Sequence, residues 1–301
     1  MCIDDKCDAP ETDKELSRRS FLAGSTAALV GVVMGSEILA QQTIQPPTKA
    51  LEDPNIVQGF VSFKSGAEMI QGYQARPKTA GKRGAVVVLH GNLGIPEDHR
   101  YTAAQLAQAG FAALAVKRFS RAPELTIEEL NQSDRSDRRY LSGKFNRQEL
   151  SDAQAAIDYL KSQSFVRRGK IGMVGFCGGG YQSLLLATES KDVKAVVAFY
   201  APPIIAEQYQ VAEDPKPNLM DVVSKIKVPV QGHYGTADTA VPVADVKKFE
   251  QALQKQGTPA EIFFYEGARH AFCDYTRRNY DAEAAALAKS RMFEFLKRRL
   301  K

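Results

Sequence analysis

The segment Gly175-Phe176-Cys177-Gly178-Gly179 constrains the fold of this chain more than any other part of its sequence. It follows an apolar run at 170–174 that predicts a buried strand, and it precedes a run at 179–187 that predicts a helix. A cysteine between glycines at such a junction is the G-x-C-x-G form of a nucleophile elbow. The turn is sharp and leaves no room for neighbouring side chains, which accounts for the glycines. The thiol would stand at a helix N-terminus, where the helix dipole favours the thiolate.

Two other interpretations of this segment compete with the elbow. A glycine-rich packing turn around an inert, buried cysteine would show the same residues, but the strand before it and the helix after it favour the elbow. A dinucleotide-binding fingerprint could begin at Gly178 and Gly180, but its third glycine position is occupied by Ser183. No acidic residue closes a following strand either, so the dinucleotide interpretation fails on its own pattern.

The rest of the chain predicts strands that alternate with helices after an initial pair of strands. Strands are expected at 56–63, 68–75, 85–89, 111–116, 170–174, 193–199, 228–234 and 261–265. Helices are expected at 103–109, 150–160, 179–187, 246–253 and 284–300, with Leu287, Phe293 and Leu296 of the last helix facing inward. This order predicts an α/β protein with one mostly parallel, doubly wound sheet flanked by helices, and a single domain over 55–301. The irregular stretches 117–147 and 200–224 are expected to shape a pocket.

A base and an orienting acid for Cys177 should follow it in the chain, in the order nucleophile, acid, histidine. His233 and His270 are the histidines after Cys177, and His233 lies within a predicted strand, which favours a core position. His270 follows the last predicted strand, where a catalytic base is expected. Asp238 also directly follows a strand, although an aspartate there could simply satisfy the backbone N–H groups of a turn. The sequence therefore predicts catalytic roles for Cys177, Asp238 and His270.

The backbone N–H groups of Gly178 and Asn92 are the expected oxyanion hole, because Asn92 lies in the loop after the third strand. His90, in the same loop, is expected to brace it, and His99 is expected on the surface of the following helix. With four scattered histidines and no HExxH motif, the sequence predicts no metal site.

Composition excludes several classes of protein. The chain has 301 residues, of which 44% are hydrophobic and 25% charged, which is ordinary for a globular protein. Its net charge of +5 comes without a basic stripe interleaved with aromatics, so no nucleic acid partner is predicted. Four cysteines are too few for a disulfide scaffold of this length.

Residues 1–40 resemble a secretory signal of the twin-arginine type. Arg18 and Arg19 are followed by a short run of Ala, Gly, Val and Leu, and Ala40 is a small residue at a plausible cleavage point. The resemblance implies export through the twin-arginine (Tat) machinery and a periplasmic or secreted location. A cytosolic amphipathic helix is the alternative. Residues 41–54 are expected to form a polar, proline-containing linker before the domain.

The motifs HGNLG (90–94), GFCGGG (175–180), GTAD (235–238) and RHAF (269–272) together resemble the dienelactone hydrolase (carboxymethylenebutenolidase) family of α/β-hydrolases. The resemblance covers about residues 56–300. It implies a monomeric, cofactor-free Cys-His-Asp hydrolase that acts on small ester or lactone substrates. Arg121 is similar to one of two arginines that clamp a substrate carboxylate in dienelactone-cleaving members.

This chain departs from the family pattern at two positions. Many members have a glutamate that engages the resting thiol where this chain has Gly91, so a simpler histidine–thiolate pair is expected here. The second substrate-binding arginine is replaced by Asp274, whose carboxylate is expected to disfavour anionic substrates. The reaction class is therefore predicted, but the particular substrate is left open.

Two further functions share these residues. Cys273 is close to His270 in the chain, and a disulfide between Cys273 and Cys177 would make the site a thiol switch or an inactive scaffold used for binding. A peptidase or thioesterase would keep the same three residues and differ in its pocket.

Overall fold

The computed structural model describes residues 48–91, 97–118, 120, 146–206 and 214–301. The strands are β1 (Ile56–Ser65), β2 (Glu68–Pro77), β3 (Arg83–Leu89), β4 (Ala112–Val116), β5 (Val166–Phe176), β6 (Val193–Phe199), β7 (Val230–Gly235) and β8 (Ala260–Tyr265). The helices are α1 (Glu97–Gln108), α2 (Asn146–Ser162), α3 (Gly178–Leu186), α4 (Leu219–Val222), α5 (Val243–Lys255) and α6 (Ala282–Leu300). Short 3₁₀ turns lie at Thr48–Ala50 and Val223–Lys225.

The strands form one eight-stranded sheet in the order β1-β2-β4-β3-β5-β6-β7-β8. β1 pairs antiparallel with β2, and β2 pairs antiparallel with β4. All remaining pairs, from β4 through β3 to β8, are parallel. The carboxyl ends of six parallel strands therefore share one edge of the sheet, which is where ligands bind in folds of this kind.

Helices cover both faces of the sheet. Val86, Val88 and Val174 point to the face covered by α1 and α6, whereas Val87 and Met173 point to the face covered by α2, α3 and α5. Both faces of β3 and β4 are buried along their whole length. Strands buried on both faces need continuous apolar sequence, which explains the valine-rich and alanine-rich runs there.

The expected α/β architecture, a single mostly parallel sheet flanked by helices on both faces, is confirmed. Every predicted strand and helix in the described residues is present, and the bounds differ by up to six residues, the largest difference being at the start of α1. Ala50, placed in the expected linker, is buried against the α1 face. None of the described helices is long and apolar enough to span a membrane.

One prediction about α6 is wrong. Leu287 is 46% exposed, whereas Leu296 is fully buried. The two residues are nine positions apart, about two and a half turns of an α-helix, so they lie on opposite faces. The buried face is instead formed by Ala285, Ala288 and Met292 together with Leu296.

Several predictions concern residues outside the described ranges. They include the signal segment 1–40, the oxyanion residue Asn92, the substrate-binding residue Arg121 and most of the stretch 117–147.

Candidate active site

Cys177 lies on the turn between β5 and α3, at the carboxyl edge of the sheet. Its backbone has φ 52° and ψ −120°, a strained conformation for a residue with a side chain. The backbone N–H of Cys177 donates to the carbonyl of Phe199 at 2.9 Å, which ties the turn to the neighbouring β6. The sequence therefore places the thiol on a rigid corner between two buried elements.

The glycines around Cys177 are required by close backbone packing. A Cβ atom on Gly175 would lie 2.3 Å from the carbonyl oxygen of Gly179. A Cβ atom on Gly179 would lie 2.3 Å from the carbonyl oxygen of Leu89, at the end of β3. Because real Cβ atoms do not approach oxygen so closely, any side chain at either position would displace the turn. This is the physical basis of the G-x-C-x-G spacing.

The structure brings the three residues predicted from sequence into one hydrogen-bonded chain. His270 Nδ1 donates to Asp238 Oδ2 at 2.7 Å, and His270 Nε2 lies 3.1 Å from Cys177 Sγ. The other Asp238 oxygen accepts the backbone N–H groups of Ala240 and Val241 at 2.8 and 3.0 Å. Both interpretations of Asp238 are thus satisfied at once, since one oxygen holds the turn and the other holds the imidazole.

The electrostatics of this chain favour a thiolate beside an imidazolium. Burial raises the pKa of the Cys177 thiol, but the charge and hydrogen bond of His270, the Gly178 N–H and the charge of Arg118 outweigh it and leave that pKa lowered. Burial lowers the pKa of His270, but Cys177 and Asp238 raise it to about 10. These two shifts favour the ion pair, with the proton on His270 and the negative charge on the sulfur, over the neutral pair.

Of the expected oxyanion donors, Gly178 is in the described residues. Its backbone N–H directly follows Cys177 and hydrogen-bonds toward the sulfur. Asn92 lies outside the described residues, so its predicted role stays a prediction.

His90 braces the end of β3, as expected. Its Nδ1 lies 2.6 Å from the Gly91 carbonyl and its Nε2 accepts the Arg118 backbone N–H at 3.0 Å. Burial, followed by the charge of Arg118, holds the pKa of His90 well below its usual value. The ring is therefore neutral, with its proton on Nδ1.

The expectation for His99 is wrong, because the residue is buried and only 4% exposed. Its ring packs edge-on against Phe176, the residue before Cys177, with 4.9 Å between ring centroids, and against His90 at 5.8 Å. Burial lowers the pKa of His99 to about 4, so it is uncharged in the core. Nothing in the sequence around a histidine near the start of a helix distinguishes a buried position from an exposed one.

Sequence reasoning missed several residues around the thiol. Tyr200, at the end of β6, has φ 40° and packs its ring 5.0 Å from the His270 ring. Arg118 and Glu149 form a buried ion pair beside the end of β3. Lys216 is 6% exposed, and burial lowers its pKa to about 8, partly opposed by the charges of Glu149 and Cys177. The sequence offered one indication that Arg118 lies near the site, which is its position just after the carboxyl end of β4.

Asp274 and Cys273 are both buried. The carboxylate of Asp274 accepts hydrogen bonds from the backbone N–H and hydroxyl of Thr276 and pairs with Arg277 Nε at 3.3 Å. Cys177 and Cys273 are both free thiols, and burial raises the pKa of Cys273 well above its usual value. Within the described residues no group of His, Cys, Asp and Glu side chains is arranged to hold a metal ion.

A mostly parallel sheet that carries a cysteine elbow after a central strand, with an aspartate and a histidine supplied by later loops, is the architecture of an α/β-hydrolase. The family model of the dienelactone hydrolases matches residues 70–300. The chain belongs to the dienelactone hydrolase family, and the protein is a hydrolase.

Individual relatives agree with this assignment. A protein of Escherichia coli K12, provisionally named carboxymethylenebutenolidase, is 30% identical over 278 residues, which are 91% of this chain and 97% of the relative. A Bradyrhizobium protein, provisionally named 2-oxo-3-(5-oxofuran-2-ylidene)propanoate lactonase, is 30% identical over 236 residues, 77% of this chain and 91% of the relative. The crystal structure of a provisionally named dienelactone hydrolase from Klebsiella pneumoniae superposes with a TM-score of 0.71 at 28% identity, over 80% of this chain and 98% of that one.

Proposed function

We propose that this chain hydrolyses carboxylic esters or lactones through an acyl-thioester on Cys177, with His270 as general acid and base and Asp238 as its orienting partner. The observation that carries the proposal is the continuous contact from Asp238 Oδ2 to His270 at 2.7 Å and from His270 to Cys177 Sγ at 3.1 Å. These are the distances at which a proton passes between neighbouring heavy atoms. The names of the lactonase and carboxymethylenebutenolidase relatives support the ester or lactone class.

The first half of the reaction uses the thiolate and the imidazolium. The sulfur attacks the carbonyl carbon and forms a C–S bond while the carbonyl oxygen becomes an oxyanion, which the Gly178 N–H is positioned to stabilise. When the C–O bond breaks, His270 Nε2 gives its proton to the leaving oxygen. In a lactone that oxygen stays attached to the acyl chain as a hydroxyl group.

The second half needs a neutral imidazole, and acylation supplies it. Once the sulfur is acylated its negative charge is gone, and with it one of the causes that raise the pKa of His270. His270 then takes a proton from water, the resulting hydroxide attacks the thioester, and the thiolate leaves as the C–S bond breaks. Asp238 keeps the ring oriented through both halves.

A hydrolysis screen tests this proposal. We would compare the reduced full-length chain with Cys177→Ala on short p-nitrophenyl esters, neutral lactones and a dienelactone. Loss of the nucleophile should lower kcat by about 10⁴-fold or more. Cys273→Ala is the matched control, because it removes the other thiol of the domain and should retain activity. Full activity in Cys177→Ala would contradict the proposal.

The panel also tests the expectation for Asp274. If its carboxylate disfavours anions, neutral lactones should be cleaved faster than the dienelactone, which carries a carboxylate. The absence of Cys177-dependent cleavage on every substrate, with both thiols shown to be reduced, would favour a binding role instead. Nothing in the described residues favours a disulfide between Cys177 and Cys273, since both thiols are free and the Cys177 sulfur is in contact with His270.

A further inference from the structure

A buried ion pair lies beside the candidate site, outside the three residues that the mechanism uses. Arg118 follows β4 by two residues, and Glu149 lies in the first turn of α2. Arg118 Nη2 is 2.6 Å from Glu149 Oε2, and each side chain is only 2% exposed. Glu149 Oε2 also accepts a hydrogen bond from Gln182 Nε2 at 3.0 Å. Gln182 lies on α3, which begins directly after Cys177, so the pair is connected to the helix that carries the elbow.

The other end of the Arg118 guanidinium holds the segment that follows β3. Arg118 Nη1 donates to the carbonyl of His90 at 2.6 Å and to the carbonyl of Gly91 at 3.1 Å. The Arg118 backbone N–H donates to His90 Nε2 at 3.0 Å. One residue therefore makes three hydrogen bonds to two consecutive residues at the carboxyl edge of the sheet.

This segment lies close to the thiol-bearing residue. A Cβ atom built on Gly91 would lie 3.4 Å from the Cβ atom of Cys177. The His90 carbonyl, which accepts from the guanidinium, also lies against the elbow, because a Cβ atom on Gly179 would be 2.4 Å from its oxygen. The charge of the guanidinium is held in place by Glu149. A fixed positive charge near a thiol favours the thiolate, and the charge of Arg118 adds to the larger contributions of His270 and the Gly178 N–H in lowering the pKa of Cys177.

Fold stability gives a weak reason for the pair. A buried ion pair must overcome the loss of hydration of both ions, and a well-packed apolar pair of similar volume is often equally stable or more stable. An apolar pair, however, could neither bind the carbonyls of residues 90 and 91 nor place a charge beside Cys177. The pair is explained better by what it does to the site.

We propose that Arg118 is a positioning residue of the hydrolytic site: held by Glu149, it anchors the carbonyls of His90 and Gly91 and supplies a permanent positive charge that favours the Cys177 thiolate. The proposal rests on the proposed role of Cys177 as the nucleophile. Other charged groups near the thiol are His270 and Lys216, and both residues are kept in the test. The Glu149 charge raises the pKa of Lys216 and the Arg118 charge lowers it, so the effects of removing both on Lys216 oppose each other.

The test replaces both ions together, in Arg118→Met/Glu149→Leu of the full-length chain. Because both charges are removed together at similar volume, no buried ion is left unpaired and the domain should still fold, with a lower melting temperature because the carbonyls of His90 and Gly91 lose a hydrogen-bond donor. The readouts are the pH dependence of Cys177 alkylation by iodoacetamide, followed at that residue by mass spectrometry, and kcat and KM on a p-nitrophenyl ester. We expect the alkylation midpoint to rise by about one pH unit and the rate at pH 7 to fall about tenfold. We also expect kcat on the ester to fall and KM to change little.

Two further variants keep the result interpretable. Arg147→Met/Glu189→Leu removes an exposed ion pair, with side chains 75% and 49% exposed, and should leave both readouts unchanged. Arg118→Lys keeps the charge but cannot hold Glu149 and both carbonyls together, so we expect a wild-type alkylation midpoint with kcat lowered about tenfold.

Specific results would overturn the proposal. If the Arg118→Met/Glu149→Leu protein is folded and shows a wild-type alkylation midpoint and kcat, the pair is only structural. If that protein fails to fold, Arg118→Lys decides, and a wild-type kcat there overturns the proposal. Alkylation is measured without turnover, so a failure of the hydrolytic proposal, seen as full activity in Cys177→Ala, is distinguished from a failure of this one.

Discussion

At the scale of single residues, the ionisation of Cys177 is coupled to that of His270. The imidazolium is the first favourable contribution that offsets the effect of burial on the thiol pKa. The thiolate and Asp238 in turn raise the pKa of His270 to about 10. Each group therefore favours the ionised form of the other.

Replacing His270 by Gln should raise the pKa of Cys177 above its ordinary value of 9.0, because burial still opposes the thiolate and the neighbouring cation is gone. Alkylation at pH 7 should slow by at least about tenfold, and its rate should keep rising through alkaline pH. The measurement is the alkylation rate of Cys177 against pH, with thermal melting as the check on folding. An unchanged midpoint would show that His270 does not stabilise the thiolate.

Position 91 offers a second test of the charge around the thiol. A side chain at Gly91 would make ordinary contacts, 3.4 Å from Cys177 Cβ and 3.6 Å from the Phe176 carbonyl. Gly91→Glu should place a negative charge beside the sulfur and raise the pKa of the thiol, and a rise of about one pH unit would slow alkylation at pH 7 about tenfold. Gly91→Gln has the same size without the charge and should alter the rate far less. Equal rates in the two variants would argue against an electrostatic effect.

Sequence reasoning at this scale succeeded for groups marked by a local motif. Cys177, Asp238 and His270 each follow a strand of the parallel sheet, and such positions meet at one edge. Arg118 and Glu149 are 31 positions apart with no periodic relation, so their pairing could not be inferred from sequence. The burial of His99 was missed for the same reason, because it depends on the packing of α1 against β5 and on no local pattern.

At the scale of elements, the turn from β5 into α3 leaves no room for a side chain at Gly175 or Gly179. Gly175→Ala should destabilise the domain by more than about 3 kcal/mol, because its Cβ would meet two atoms closer than van der Waals contact allows, the Gly179 carbonyl oxygen and Ser183 Oγ. Chemical denaturation measures the change in the free energy of unfolding.

The control for this prediction is Gly59→Ala, on the edge strand β1. A Cβ atom at Gly59 meets nothing within 4 Å, so the change should stay within about 0.5 kcal/mol. Similar losses in the two variants would indicate a general cost of replacing glycine in strands and no special constraint at the elbow.

In helix α6, two leucines that were both expected to face inward lie on opposite faces. Leu296→Ala should cost about 2–5 kcal/mol, because the side chain is fully buried between the helix and the sheet. Leu287→Ala on the opposite face, 46% exposed, should change the free energy of unfolding by less than about 0.5 kcal/mol. Equal losses on chemical denaturation would mean that Leu287 is covered in solution.

At the scale of the whole molecule, location and assembly are open to direct tests. We propose that residues 1–40 direct export, on the resemblance to twin-arginine signals around Arg18 and Arg19. Arg18→Lys/Arg19→Lys should leave the protein in the cytoplasm, as measured by cell fractionation. Arg167→Lys/Arg168→Lys, at an exposed pair within the domain, is the matched control and should be exported. Export of both variants would contradict the proposal.

The expected monomer stays a prediction. Light scattering during size-exclusion chromatography should give a mass near 33.0 kDa for the full-length chain, and twice that mass would contradict it.

The sequence by itself determined the alternation of strands and helices, the position of the elbow and the chain order of its acid and histidine. These features are local, because a strand needs continuous apolar residues and a sharp turn needs glycines. Only the tertiary structure decided that His270 reaches the thiol and that Asp238 uses one oxygen for a turn and the other for the imidazole. It also decided that Arg118 and Glu149 form a buried ion pair beside the site. Those contacts join residues tens of positions apart, and close packing of the finished sheet and helices selects them.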